Sequence, residues 1–191
     1  DAVGEQHLFA WMANADEQAL VEKAGAAGTL GNDSANPQLG VFISDDTYSK
    51  KSWFFSTDTQ VSDGITNADG TTTYHVTTTL TNHLTADEAD NSASYITGCN
   101  IDRRDNTDMV MWIYLVAPAG GSISNVSQEG GDVALQDFTE LPYNGLSVTF
   151  ANPRIDGGET MTVTYTVTCA AGAAPMTVRT TPTAQSVAGW E

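Results

Sequence analysis

Two cysteines, three histidines and a large excess of carboxylates are the side chains from which this 191-residue chain can build chemistry. Cys99 and Cys169 are the only cysteines. Cys169 continues the alternation of Val163, Tyr165 and Val167, so its thiol is expected to face inward at a strand end, and Cys99 closes the segment 95–98. Neighbouring strand ends can meet the Cα spacing of a disulfide, and closing so long a loop stabilises by about 4 kcal/mol in the chain-entropy model. A Cys99–Cys169 disulfide is therefore expected, with two buried free thiols as the alternative. No zinc centre is expected, because the paired short spacings that supply four ligands are missing.

His7, His75 and His83 offer no shared metal site, since His75 and His83 stand about 26 Å apart on an extended strand. Asp63 to Gly70 resembles a calcium loop only faintly. It lacks the carboxylate wanted at Ile65 and the glutamate wanted at Val76, so an Asp69-Gly70 hairpin turn is the expected structure, with weak calcium binding open to the acidic loops. Asp45, Asp46 and Tyr48 form one polar loop, and Asp102, Arg103 and Arg104 form another beside Cys99. The arginine forks suit a carboxylate or a sugar acid, and mutual neutralisation in a solvated loop is the plainer alternative. Paired carboxylates perform glycoside hydrolysis only at a defined separation, and abundant aspartates make pairs commonplace. No nucleophile elbow, H-E-x-x-H, Walker loop or dinucleotide fingerprint occurs, so no catalytic residue is assigned. Lys51 falls in phase with Trp53 and Phe55. An inward lysine must be paired or neutralised, and a Lys–Asn amide cross-link would achieve this. An ammonium reaching water at the mouth of the core is the ordinary alternative.

These residues need elements to position them. Leu8, Trp11 and Met12 recur at helical spacing and predict a helix over residues 5–13. Asn14 with Glu17 resembles a capping box, and Leu20, Val21 and Ala24 before Gly25 predict a second helix over 16–24. From Leu39 the period becomes two. Alternation predicts strands over 39–44, 52–61, 72–82, 146–150, 160–168 and 176–180, and residues 109–116, apolar on both faces, read as a central strand. With no helix-length crossovers between them, a parallel βαβ architecture is excluded. The predicted fold is mainly β: an antiparallel, immunoglobulin-like β-sandwich over residues 39–191, preceded by a short helical pair over 1–38. A closed barrel is the alternative.

The formal charge of −17 and a pI near 4.1 argue against nucleic acid and anionic lipid surfaces as partners. No apolar run approaches the ~18 residues of a membrane span, so no membrane insertion of this fragment is expected. Asp1 follows no start methionine, basic n-region or apolar h-region, and the reading is of a mature protein or an excised piece.

The stretch His7-Leu-Phe-Ala-Trp-Met12, Asp16-Glu-Gln-Ala-Leu20, Gly25 and Gly28-Thr-Leu30, followed by Ser49-Lys-Lys-Ser-Trp-Phe-Phe55 and Tyr74-His-Val-Thr-Thr-Thr-Leu-Thr-Asn82, resembles the C-terminal part of the domain of unknown function 4012 family, actinobacterial cell-envelope proteins. The resemblance covers most of the chain, and it implies an upstream membrane anchor with this part facing outward. Separately, Gly157-Gly-Glu-Thr-Met-Thr-Val-Thr-Tyr-Thr-Val167 is similar to strands of many Gram-positive surface sandwiches. The family lends no activity, so no catalytic residue is carried over. The expected function is an extracellular binding or scaffolding module of a larger envelope protein. Its first candidate ligand is a glycan or cell-wall polymer, with Trp53 and Tyr48 as stacking aromatics. An enzyme acting on envelope polysaccharide and a mechanical spacer are the competing classes.

Overall fold

The computed structural model describes residues 2–4, 6–98, 105–132 and 136–184, without the side chains of 136–141. In chain order the elements are helix α1 (Ala15–Lys23), strand β1 (Gln38–Asp45), a 3-10 turn (Lys51–Phe54), β2 (Phe55–Val61), β3 (Ile65–Thr66), β4 (Thr72–Asn82), helices α2 (Ala86–Asn91) and α3 (Ser94–Thr97), β5 (Met109–Val116), β6 (Ser122–Glu129), β7 (Gln136–Tyr143), β8 (Leu146–Ala151), β9 (Arg154–Ile155), β10 (Thr160–Cys169) and β11 (Thr177–Thr180).

The strands form two sheets. One runs β11-β1-β5-β8-β7, with β9 pairing further along β5; the other runs β2-β4-β10-β6, with β3 on β4. All pairs are antiparallel except β1 with β11, which run parallel. The chain crosses between sheets after β1, β4, β5, β6, β9 and β10. The result is a mainly β, sandwich-like fold, as the period-two reading predicts.

Alternation decides which side chains meet between the layers. Tyr74, Val76 and Leu80 of β4 and Met161, Val163, Tyr165 and Val167 of β10 pack with Leu39, Val41 and Ile43 of β1 and with Met109, Met111, Ile113 and Leu115 of β5. One polar chain runs through this core: the Thr59 and Thr78 hydroxyls lie 3.1 Å apart, as do those of Thr78 and Tyr165. Burial, partly offset by the Thr78 hydrogen bond, pushes the Tyr165 phenol up to about 12. At one end of the core Asn82 acts as a clip, its Nδ2 donating to the carbonyls of Thr107 and Ile155 at 2.8 and 2.9 Å and its Oδ1 accepting from the Leu84 amide.

Several expectations are corrected. Among the described residues of the segment 5–13 there is no helix. Gln6 sits at φ +63, and the Ala10 amide donates to the Ala26 carbonyl at 2.8 Å, in the loop that follows α1, instead of to a helical partner. The second helix forms with Asn14 as its cap, Oδ1 accepting from the amides of Asp16 and Glu17. Two short helices stand between β4 and β5, the first closed by a Thr85–Glu88 capping box. The second, Ser94–Thr97, is a single helical turn. Residues 51–54 form a 3-10 turn, which leaves Trp53 exposed while Phe55 enters the core.

Of the two cysteines, Cys169 is a buried thiol whose titration burial raises above its ordinary range, beside Thr72 at the start of β4; Cys99, its expected disulfide partner, lies outside the described residues.

Candidate functional site

In an antiparallel sandwich the outer face of each sheet is normally polar. The β2-β4-β10-β6 sheet obeys, turning outward the alternating threonines of β4 and β10. The other sheet does not. Phe42 of β1, Trp112, Tyr114 and Val116 of β5, and Val148 and Phe150 of β8 all line a groove on its outer side. Their strand neighbours in alternate positions, such as Ile43, Ile113 and Leu115, belong to the core, so β5 is apolar on both faces for two different reasons.

The strap Gly28 to Leu30 walls the groove on one side and Pro142 with Tyr143 on the other, enclosing about 770 Å³. That volume lies in the range of roughly 300–1,000 Å³ typical of small-molecule sites. Three rings form its floor. Trp112 and Tyr114 are 6.3 Å apart and within 21° of parallel, Tyr114 and Phe150 5.8 Å apart at 29°, and Trp112 and Phe150 5.7 Å apart at 48°. None of the described lining residues is charged.

The strap is tied down at several points. The Gly31 amide donates to Gln38 Oε1 at 2.8 Å, and Arg179 Nη1 of β11 donates to the Thr29 carbonyl at 2.6 Å. The Arg179 guanidinium also lies over the Phe9 ring, 5.4 Å from its centroid. Phe9 in turn crowds Gly28, which sits at φ +70; a Cβ there would meet the Phe9 ring at 3.1 Å. Across the groove, Asn32 Nδ2 donates to the Asn144 carbonyl at 2.7 Å, joining strap to hairpin. That hairpin turns at Asn144-Gly145, both at positive φ, as the Asn-Gly signal requires.

The residues singled out from sequence lie elsewhere. Tyr48 is 93% exposed and Trp53 stands on the 3-10 turn, neither lining the groove. Asp45 Oδ1 accepts from the Thr47 amide and hydroxyl, which makes it a turn former, and Asp46 Oδ2 accepts from Asn152. Asp102, Arg103 and Arg104 lie outside the described residues. Lys51 is only 4% exposed, as an inward lysine should be, and its Nζ donates to the Asp108 carbonyl at 2.8 Å.

Two polar clusters went unread in the sequence. Ser56 Oγ and His83 Nε2 are 2.7 Å apart, the spacing of a nucleophile and its base. Ser56 is only 2% exposed, however, which closes its hydroxyl to a substrate, and burial holds the His83 imidazole below its ordinary value. Arg154 gathers three carboxylates, its Nε lying 3.2 Å from Asp132 and from Asp156 and 3.8 Å from Asp108. These contacts are close enough for attraction but off-line for hydrogen bonds. Asp108 titrates above its ordinary range, because burial outweighs the hydrogen bond from the Asp105 amide and the attraction of Arg154. Among the described residues no group of three or more His, Cys, Asp or Glu side chains is arranged to hold a metal ion, and Asp69 is occupied by Thr71 in the hairpin turn. No described helix is long and apolar enough to cross a membrane.

Compared with family models, with curated proteins and with solved structures, the chain finds no match in any of the three.

Proposed function

We propose that this chain is an outward-facing binding module of a cell-envelope protein, of the kind the domain of unknown function 4012 resemblance implies, and that it takes its ligand in the groove over β1, β5 and β8. The observation that supports this reading is the stack of Trp112, Tyr114 and Phe150 on a sheet face that would ordinarily be wet. An exposed apolar concavity is unfavourable for a free protein and marks a surface that something covers. The sandwich is immunoglobulin-like in the broad sense of two layers with crossing connections. Its acidic surface keeps it off anionic polymers, which leaves neutral envelope glycans and glycolipids as the ligand class.

The test is co-sedimentation with envelope fragments from an actinobacterium. Trp112→Ala should weaken retention at least tenfold, whereas Trp53→Ala should leave it unchanged. Retention that depends on Trp53 and ignores Trp112 would move the site from the outer sheet face to the 3-10 turn and refute the assignment.

A further inference from the structure

The groove is not uniform along its length. From Val116 to Trp112 the floor of β5 changes from aliphatic to aromatic. Val116 pairs with Val148 and lies across from Gly40 beside Leu30, whereas Tyr114 pairs with Phe150. The aliphatic end is also the bridged end, because Asn32, just beyond the strap, reaches Asn144, just beyond Tyr143. A polymer cannot lie through a channel that is crossed at one end, but a chain terminus can enter it. Sugar recognition, moreover, needs convergent polar partners for its hydroxyls, since buried hydroxyls left unpaired are costly. At the aliphatic end Leu30, Val116 and Val148 supply none, and only the Tyr143 phenol on the hairpin wall could.

Resting on the reading that this groove is the binding site, we propose that it holds the apolar tail of a neutral amphiphile. The acyl or isoprenyl chain lies along β5 with its end toward the Asn32–Asn144 bridge, and its uncharged headgroup lies toward Trp112. Each methylene removed from water adds to the binding free energy, so the tail supplies the affinity. A formal charge of −17 selects against an anionic headgroup.

Isothermal titration of the intact chain with hexyl, octyl and dodecyl maltoside, each below its micelle-forming concentration, and with maltose alone tests this directly. The expected result is one saturable site whose affinity rises at least tenfold from hexyl to dodecyl, with maltose alone at least a hundredfold weaker than dodecyl maltoside. Val148→Phe, which fills the aliphatic end, should abolish the chain-length dependence. The series in the unaltered protein decides the matter even if that variant folds poorly. Affinity independent of chain length, or equal for maltose, overturns the tail assignment and leaves the groove as a glycan site. Absence of binding by every member also overturns it. If Trp112-dependent retention on envelope fragments persists in that case, the broader reading of the site stands alone.

Discussion

The amide of the Asn32 side chain donates to the main-chain carbonyl of Asn144 over 2.7 Å, tying together two segments that lie 112 residues apart. The bond joins the wall contributed by the N-terminal strap to the wall contributed by the β7–β8 hairpin. The strap belongs to no strand of the sheet that forms the floor, whereas Pro142 and Tyr143 are the last two residues of β7 at its edge. The groove is therefore assembled from three parts of the chain, and its shape depends on contacts that lie outside the core.

Because those contacts are exposed, breaking one should loosen the strap without unfolding the sandwich. An exposed hydrogen bond contributes about 0.5–1.5 kcal/mol. Asn32→Ala is expected to speed amide hydrogen exchange at the Gly31 and Asn32 positions a few-fold, with the melting temperature almost unchanged. A large fall in melting temperature would show instead that the strap is part of the cooperative fold.

Intact mass under non-reducing conditions tests the expected Cys99–Cys169 disulfide: a mass two hydrogens below that of the reduced chain is expected, and a mass equal to it would contradict the pairing. In the reduced chain a thiol reagent should reach Cys169 only after denaturation, because that side chain is buried. A mass lower by one ammonia would reveal a Lys51 amide cross-link.

Tyr165→Phe removes one end of the Thr59–Thr78–Tyr165 hydroxyl chain and leaves Thr78 with a single partner. The expected destabilisation is about 1 kcal/mol, read from denaturant midpoints with an unchanged slope. Thr78→Val should cost more, about 1–3 kcal/mol, because it takes the partner from both the Thr59 and the Tyr165 hydroxyl, whereas Tyr165→Phe leaves Thr78 its bond to Thr59.

Asp108 supplies a pH signature. Its folded-state value is raised, so the native chain binds that proton more tightly than the unfolded chain does. The stabilising contribution is fully present below the ordinary carboxylate value and is lost as pH rises through the raised one. Asp108→Asn should therefore gain stability relative to the unaltered protein as pH goes from 4 to 7. Other carboxylates, such as Glu88, lowered by its bonds to the Thr85 amide and hydroxyl, contribute the opposite slope in both proteins and cancel in the comparison. A difference that runs the other way would show that Arg154 governs Asp108 more than burial does.

Strands with a clean period were legible. Residues 72–82 and 109–116 were read with the bounds the structure gives, because threonine alternation and an uninterrupted apolar run each leave little choice of state. Strand β6 was not read, for a physical reason. Its partly buried residues Ile123 and Val126 are three apart, since the register with β10 slips between Thr164 and Thr166 and Asn125 sits at φ +51. The bulge erases the period-two signal. Leu8, Trp11 and Met12 carried helical spacing, yet spacing alone does not supply a surface to pack on, and all three stay exposed. The T-x-x-E of Thr85–Glu88 is a capping box with a plain sequence signature.

The groove could not be read at all from sequence, because an apolar face against the core and an apolar face against a ligand look identical in a strand such as β5. Leu146, Val148 and Phe150 illustrate the point. Their alternation placed them on one face correctly, and only the sheet order shows that this face is the outer one. Tyr48 and Trp53 attracted notice because acidic loops flank them, a property of local sequence that says nothing of convergence.

Amide chemical-shift mapping during titration with the retained envelope component tests the central claim most directly. The account predicts shifts concentrated at Leu30, Phe42, Trp112, Tyr114 and Phe150, with Tyr48 and Trp53 unmoved. Shifts centred on Tyr48 and Trp53, with the strands under the groove silent, would contradict it.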